Sequence, residues 1–315
     1  MYEALQQLDP IKINFSASGM HVINIILSFI MFGVALGIKP GEFKELIKHP
    51  KSTLVGLLSQ VFALPLITFL LVILLSNQIT PTVAMGMILV ASCPGGNISN
   101  FMSSLSKANT ELSVGLTATT TLFATITTPF NFAFWGGLYT RYISNHAKHI
   151  LQPLEIDNGQ MFETVFILLG IPLIAGIIFA RYLPKITEKL KKPIQIGSII
   201  FFLLMIVLAF SNNLRLFLDH IFYVFVIVLI HNLLALTTGF SIGTIFKLPN
   251  ADRRTLTIET GIQNSGLGLV LLFNPKIFPP NLALGGMLFI TAWWGIWHII
   301  SGLLVSSYWT RKNPA

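Results

Sequence analysis

The sequence predicts an all-α polytopic membrane protein of about nine transmembrane helices, and three observations carry that expectation. Of its 315 residues 53% are hydrophobic and only 10% charged, with a mean hydropathy of +0.75. Soluble domains run at roughly 45–50% apolar and 25% charged, so an ordinary soluble enzyme is excluded. Apolar runs near the ~20 residues that a spanning helix needs fall at 20–38, 53–76, 83–105, 110–138, 161–180, 194–211, 219–246, 255–275 and 280–308. The basic residues then sort cleanly. Lys39, Lys44, Lys48, Lys51, Lys107, Arg181, Lys185, Lys189, Lys191, Lys192, Lys247, Arg253, Arg254, Arg311 and Lys312 fall on one side; Lys12, Arg141, Lys148, Arg215 and Lys276 fall on the other, together the 20 of the chain.

The elements follow in order. Residues 1–19 hold Glu3, Asp9, Pro10 and Lys12 and no apolar stretch of signal-peptide type, so they are expected as an extracytoplasmic N-terminal segment. The positive-inside bias places the N-terminus outside, a cytoplasmic tail at 309–315, and the protein in a plasma or bacterial inner membrane. The stretches Lys39–Lys51 and Arg181–Lys192 read as cytoplasmic loops that set topology. Trp135, Trp293 and Trp309, near expected helix ends, read as interfacial anchors, and Trp294 and Trp297 as packing. The single cysteine, Cys93, excludes an intramolecular disulfide framework, a Cys-rich zinc site and an iron–sulfur cluster. Dinucleotide and P-loop patterns leading from a strand are absent, which leaves no support for a nucleotide site.

Two runs are interrupted. Ala91-Ser92-Cys93-Pro94-Gly95-Gly96-Asn97-Ile98-Ser99-Asn100 places proline, glycines and polar side chains at mid-membrane depth in the third helix. Thr257-Ile258-Glu259-Thr260-Gly261-Ile262-Gln263-Asn264-Ser265-Gly266 does so in the eighth. The segments are five helices apart, so as repeat copies they would be inverted, and paired broken helices in an inverted repeat point to a transporter site near the midplane. Unwound backbone is tolerated there only inside protein or beside a watery cavity, so the two breaks are expected to meet. Glu259 is the acidic residue placed within such a break. With no Lys or Arg in the middle of an expected helix, its charge calls for a bound cation or a proton. Hydroxyls, amides and one carboxylate suit a monovalent ion better than calcium. Ser113 and Thr117, spaced i, i+4 on one face, could with Ser99, Asn100 and Glu259 surround one Na⁺. Glu259 and Gln263, with Gln60 and carbonyls of the unwound stretch, could surround another.

These residues resemble the bile acid:sodium symporter family. The likeness rests on Cys93-Pro94-Gly95-Gly96 with Ser99-Asn100, on Leu112-Ser113 with Thr117, on His231-Asn232, on the run Glu259 to Gly266, and on Trp297-His298 with Ser301-Gly302. It spans about 20–308 and matches the nine-helix form of a family with nine or ten helices. The resemblance implies a first sodium site of Ser99, Asn100, Ser113, Thr117 and Glu259. It implies a second of Gln60, Glu259 and Gln263 with backbone oxygens of Thr260 and Ile262. It also implies a transporter domain at 20–308, with a panel (20–52, 161–211) facing a core (53–138, 219–308) and substrate in the cleft between them. Asn97, Asn264 and His298 match positions lining that cleft. Some bacterial relatives carry Thr where Asn97 stands and Asn where Ile299 stands, which leaves ion coupling intact and substrate identity open.

The expected function is secondary Na⁺-coupled import of an organic anion, bile-acid-like or a smaller carboxylate, with two Na⁺ per monoanion. Its partners are then sodium, the anion and the bilayer, without nucleic acid, and nothing in it requires more than one copy of the chain. Two alternatives stand beside it: a same-fold carrier with different coupling, proton-driven or a metalloid exporter, and an intramembrane enzyme using Glu259 and His298. The last lacks a legible HExxH or Ser/His pair.

Overall fold

The structure is a computed structural model that describes residues 1–11, 17–38, 40–146, 158–211, 214–274, 276–279 and 282–312; Lys12, Lys39 and Lys148, used above for topology, lie outside them. The described residues are helical, with one isolated antiparallel bridge, Gly95 to Gln263, in place of any sheet. A short α1 (Tyr2–Gln6) precedes the first rod, α2 (Ala17–Ala35). A surface helix α3 (Pro40–Lys48) leads to the second rod, built from α4 (Pro50–Leu57), a π-helical turn (Leu58–Ala63) and α5 (Leu64–Leu74). The third rod is split into α6 (Pro81–Ser92) and α7 (Ile98–Leu105), and the fourth is α8 (Thr110–His146). The fifth comprises α9 (Asn158–Val165), a second π turn (Phe166–Gly170) and α10 (Ile171–Tyr182); α11 (Pro184–Ser211) and α12 (Leu214–Ile245) follow. The eighth is split into α13 (Asn250–Gly261) and α14 (Ser265–Leu272), and α15 (Gly285–Lys312) closes the bundle. Among the described residues nine rods thus occupy the nine apolar runs. Pro50–Leu74, Phe162–Tyr182, Leu218–Ile245 and Gly285–Arg311 are each long and apolar enough by themselves to cross a membrane. The protein is an all-α polytopic membrane protein.

Glycines explain which rods pair. Lipid supplies no hydrophobic drive for helix association, so close backbone approach through small residues matters more than in water. The most extensive pairings are α12 with α13, α6 with α15 and α2 with α10. A Cβ on Gly239 of α12 would lie 2.4 Å from the Leu256 carbonyl oxygen of α13. One on Gly86 of α6 would lie 2.8 Å from the Met287 Cα of α15, and one on Gly176 of α10 would lie 2.6 Å from the Ala35 Cβ of α2.

Proline explains the second rod. Pro65 has no N–H to give the Val61 carbonyl four residues earlier. The Asn131 amide of α8 fills that acceptor instead, at 2.8 Å. The widened π turn just before the proline carries Gln60 inward, 3% exposed; single π turns within α-helices are frequent at functional sites.

Several boundaries differ from expectation: in the stretch Lys39–Lys51, Lys44 and Lys48 lie on α3 and Lys51 on α4 rather than on a loop. The basic stretch 181–192 is not a loop: α11 begins at Pro184, a residue suited to a first helical turn, and runs through Pro193, so Lys185, Lys189, Lys191 and Lys192 are helical. The fourth helix continues past 138 to His146. Trp135 is therefore not at a helix end; it is 5% exposed and packs on Phe62, Phe69 and Phe134, with ring centroids 6.1, 5.5 and 4.9 Å away. An aromatic cluster, rather than a lipid headgroup layer, accounts for it. Trp294 is fully buried against His231, as packing.

The N-terminal segment is docked. Leu5 and Leu8 are fully buried, and the Ile11 carbonyl accepts the Leu284 N–H at 3.0 Å. The Asp9 carboxylate accepts the hydroxyls of Thr80, at 2.9 Å, and Thr82, at the start of α6. Burial raises its carboxyl above the ordinary value of 3.8, the two hydroxyl donors pulling the other way. A carboxyl that holds its proton more tightly when docked contributes stability that is present at and below its ordinary value and is lost as pH rises through the raised one. Asp9→Asn keeps an acceptor for both hydroxyls without the charge. It is expected to match or exceed the parent in thermal unfolding at pH 7 and to lose the acid-side gain, whereas Asp9→Ala, leaving the two hydroxyls only their 3.3 Å contact with each other, should cost about 1–3 kcal/mol.

Candidate functional site

The two breaks meet, and each satisfies the other. Pro94 forces Cys93 out of the helical region (φ −74°, ψ 156°), which ends α6, while Ile262 is extended at the end of α13. The Gly96 N–H donates to the Ile262 carbonyl and the Asn264 N–H to the Pro94 carbonyl, both at 2.8 Å. Carbonyls near the broken ends are met by side chains. The Ser92 hydroxyl donates to Ile88 O at 2.7 Å, the Cys93 thiol to Leu89 O at 3.3 Å, and the Asn232 amide of α12 to Gly261 O at 2.7 Å. Cys93 and Asn232 thus have structural work at the ends of the breaks, and His231 beside Asn232 pairs with the Thr68 hydroxyl of α5 at 2.8 Å.

Glu259 lies against this crossing, fully buried. Four side chains donate to its carboxylate: Ser99 from α7 at 2.5 Å, Ser113 from α8, Thr117 from α8 at 3.1 and 3.0 Å, and the Gln60 amide at 3.1 Å. Asn100 Oδ1 accepts from the same Ser113 and Thr117 hydroxyls, at 2.9 and 3.3 Å. All five residues expected around a first cation are therefore one cluster, and the i, i+4 pair on α8 shares one face. Around the second, the Gln263 amide nitrogen lies between the carbonyls of Glu259, at 3.3 Å, and Thr260, at 2.9 Å. The Thr260 hydroxyl pairs with Ser59 at 2.7 Å, and the Ile262 carbonyl serves Gly96.

Two oxygens in this cluster have no donor. Gln60 Oε1 and Gln263 Oε1 are buried without a partner. Their orientation is fixed by their own nitrogens, one on a carboxylate and the other between two carbonyls, since an exchanged amide would set oxygen against oxygen. Buried acceptors without partners cost about 1–3 kcal/mol each, a cost that a bound cation would remove. The donor set is carboxylate, hydroxyl, amide and carbonyl oxygen, suited to a hard cation; among the described residues no group of three His, Cys, Asp or Glu gathers.

Beside the cluster is a cavity of about 290 Å³ between α2, α11 and the α7–α8 corner, with Asn97, Asn100 and Thr117 in its wall. Of the expected substrate residues, Asn97 is thus at the cavity. Asn264 caps α14, its side-chain oxygen accepting the Leu267 N–H at 3.0 Å. His298, on α15, is buried with an unpartnered Nδ1. Neither lines this cavity.

Comparison with known proteins decides the family. A model of the sodium bile acid symporter family matches residues 24–220. An uncharacterized sodium-dependent transporter of Bacillus subtilis is 31% identical over 290 residues, 92% of this chain and 83% of its own length. The chain belongs to the sodium bile acid symporter family. It is also similar to a probable chloroplastic sodium/metabolite cotransporter of rice, at 25% identity over 85% of this chain and 62% of that protein. The mouse sodium/bile acid cotransporter 4 is 28% identical over 84% of this chain and 58% of that protein. The protein is accordingly a multi-pass sodium-dependent transporter, not an enzyme.

Several site residues escaped the sequence reading. Ser59 carries a signal only in hindsight, one position before Gln60. Asn109 and Asp252, joined at 2.9 Å and closed by the Ser52 hydroxyl on the other carboxylate oxygen, tie the loop before α8 to the start of α13. Gly95, read in the sequence only as part of a break, also lies against the site. Its φ is not positive, yet a Cβ there would lie 2.8 Å from Glu259 Oε2 and 3.1 Å from Gln60 Nε2. Gly95→Ala is expected to separate that pair and to weaken sodium-induced thermal stabilisation by about tenfold or more in apparent affinity. Gly137→Ala, which meets nothing within 4 Å, should behave as the parent; equal sodium responses in the two variants would contradict the site.

Proposed function

We propose that the protein imports an organic anion together with two sodium ions by alternating access, and that both ions share Glu259. One would be held by Ser99, Asn100, Ser113, Thr117 and Glu259. The other would be held by Gln60, Glu259 and Gln263, with backbone oxygens of Thr260 and Ile262. The observation that carries this reading is the pair of unpartnered amide oxygens, Gln60 Oε1 and Gln263 Oε1. A proton on Glu259 could be shared with Gln60 by exchange of that amide's oxygen and nitrogen but would leave Gln263 Oε1 unpaired, whereas a second cation would use both oxygens. Sodium is therefore favoured over proton coupling.

Charge sets the stoichiometry. Two Na⁺ with one carboxylate leave +1 in the protein interior, and a monoanion brings the loaded site to neutrality at a depth where net charge is expensive. Glu259 does not travel, so each cycle moves +1 inward, and a negative-inside potential contributes about 2.3 kcal/mol per 100 mV. The moving parts would be a panel (20–52, 161–211) and a core (53–138, 219–308). The cavity between α2, α11 and the α7–α8 corner supports placing substrate at that divide. Asn97 stands there at the N-terminus of α7, where helix-end N–H groups favour an anion; Asn264 and His298 would join the pocket from α14 and α15. The N-terminus would be extracytoplasmic and the C-terminus cytoplasmic, in the plasma or bacterial inner membrane.

Uptake into proteoliposomes under a clamped potential tests the scheme. The parent should show electrogenic inward transport with a sodium Hill coefficient above one. Glu259→Ala should abolish sodium dependence altogether, while Thr117→Ala and Gln60→Ala should each bring the coefficient towards one. Uptake indifferent to potential, or sodium-driven accumulation persisting in Glu259→Ala, would overturn the shared carboxylate.

A further inference from the structure

Lys191 also lines the cavity. Lys191 falls in the basic stretch 181–192 but lies on the first turns of α11, and its Cε and Nζ are 3.6 and 3.7 Å from where a Cβ on Gly37 would be. That position is just beyond the end of α2 at Ala35, and the carbonyl end of a helix favours a cation. No hydrogen bond or ion pair to the described residues engages its ammonium group. The wall facing it from α7 and α8 is uncharged, with Asn97, Asn100, Thr117 and Thr121 supplying polar groups beside the apolar Val114 and Ala118. Two of these belong to the cation cluster as well, since Thr117 donates to Glu259 and Asn100 accepts from Thr117 and Ser113. The cavity thus runs from one positive group, Lys191, to the rim of the proposed sodium site.

We propose that Lys191 is the counter-ion of the transported anion, which lies between its ammonium group and the Asn97–Asn100–Thr117 wall. This rests on the reading of the cavity as the substrate site and deepens it. An anion held between Lys191 and a sodium ion at Glu259 is attracted by both, so sodium binding raises anion affinity, and by linkage the anion raises sodium affinity equally. A cavity of about 290 Å³ is at the small end of ligand pockets, so the substrate class is a short carboxylate with one or two further polar groups, matched to the asparagine and threonine side chains. With Lys191 counted, two Na⁺, Glu259 and a monoanion leave +1, which sits at the cavity mouth where Lys191 is partly exposed and water screens it, while the buried site beyond it stays neutral.

The test uses purified protein and a panel of linear and 2-hydroxy carboxylates of three to six carbons, their primary amides, and a C24 bile acid, each scored by sodium-dependent thermal shift and by uptake. The parent is expected to respond to short carboxylates and not to their amides. Lys191→Gln should raise the KM for the best carboxylate by about tenfold or more while the shift given by sodium alone stays as in the parent, which also shows that the variant is folded. Lys191→Arg should restore KM to within about threefold, and Lys192→Gln, on the exposed neighbour, should leave it unchanged. A parent that responds to no member of the panel overturns both the substrate reading and this proposal. A parent that transports a carboxylate with the same KM in Lys191→Gln overturns the counter-ion alone, and preference for the C24 bile acid overturns the substrate size.

Discussion

Two hydrogen bonds between interrupted helices, Gly96 N–H to the Ile262 carbonyl and Asn264 N–H to the Pro94 carbonyl, hold the centre of this protein together. Neither break could exist by itself at membrane depth, because lipid satisfies no backbone group and each orphaned N–H or C=O would cost several kcal/mol. Pairing the breaks removes that cost and brings together sequence segments more than 160 residues apart. Everything chemical follows from the crossing: Ser99 and Asn100 from the helix that resumes after one break, Glu259 from the helix that ends at the other, and Gln60 from the π turn alongside.

The crossing also explains why a lone buried carboxylate is sustainable. Glu259 is surrounded by hydroxyls and one amide that donate to it, and a hydroxyl can donate its proton to one oxygen while presenting a lone pair to a cation. The cluster can therefore serve the carboxylate in one state and an ion in another without rebuilding the backbone. Because Thr117 and Asn100 are at once in the cluster and in the cavity wall, occupancy of the proposed sodium site would be felt in the cavity through shared side chains. No long-range mechanism is needed for coupling.

Much of this was legible in the sequence, and the reasons are specific. Apolar run length and the sorting of Lys and Arg are properties of the bilayer as solvent, so the nine rods and their order could be read directly. Pro94 and the paired glycines announce the breaks, and the i, i+4 spacing of Ser113 and Thr117 places both hydroxyls on one face. What could not be read depends on contacts between distant rods or on where helices begin. Asn131 matters because Pro65 leaves the Val61 carbonyl without a donor, which no local pattern shows. Lys191 was lost to a loop because Pro184 and Pro193 bracket a basic stretch, and only the helix starting at Pro184 turns its side chain towards the cavity. Trp135 was misplaced for the same reason at the other end of a helix, which runs two turns further than its apolar stretch.

Whether one carboxylate serves two sodium ions is decided by the stoichiometry of equilibrium binding of radioactive sodium to the purified protein. The account gives two ions per chain for the parent, one for Gln60→Ala, and none for Glu259→Ala in a variant whose thermal unfolding without sodium remains cooperative. A single ion in the parent, or any ion retained by Glu259→Ala, would contradict it.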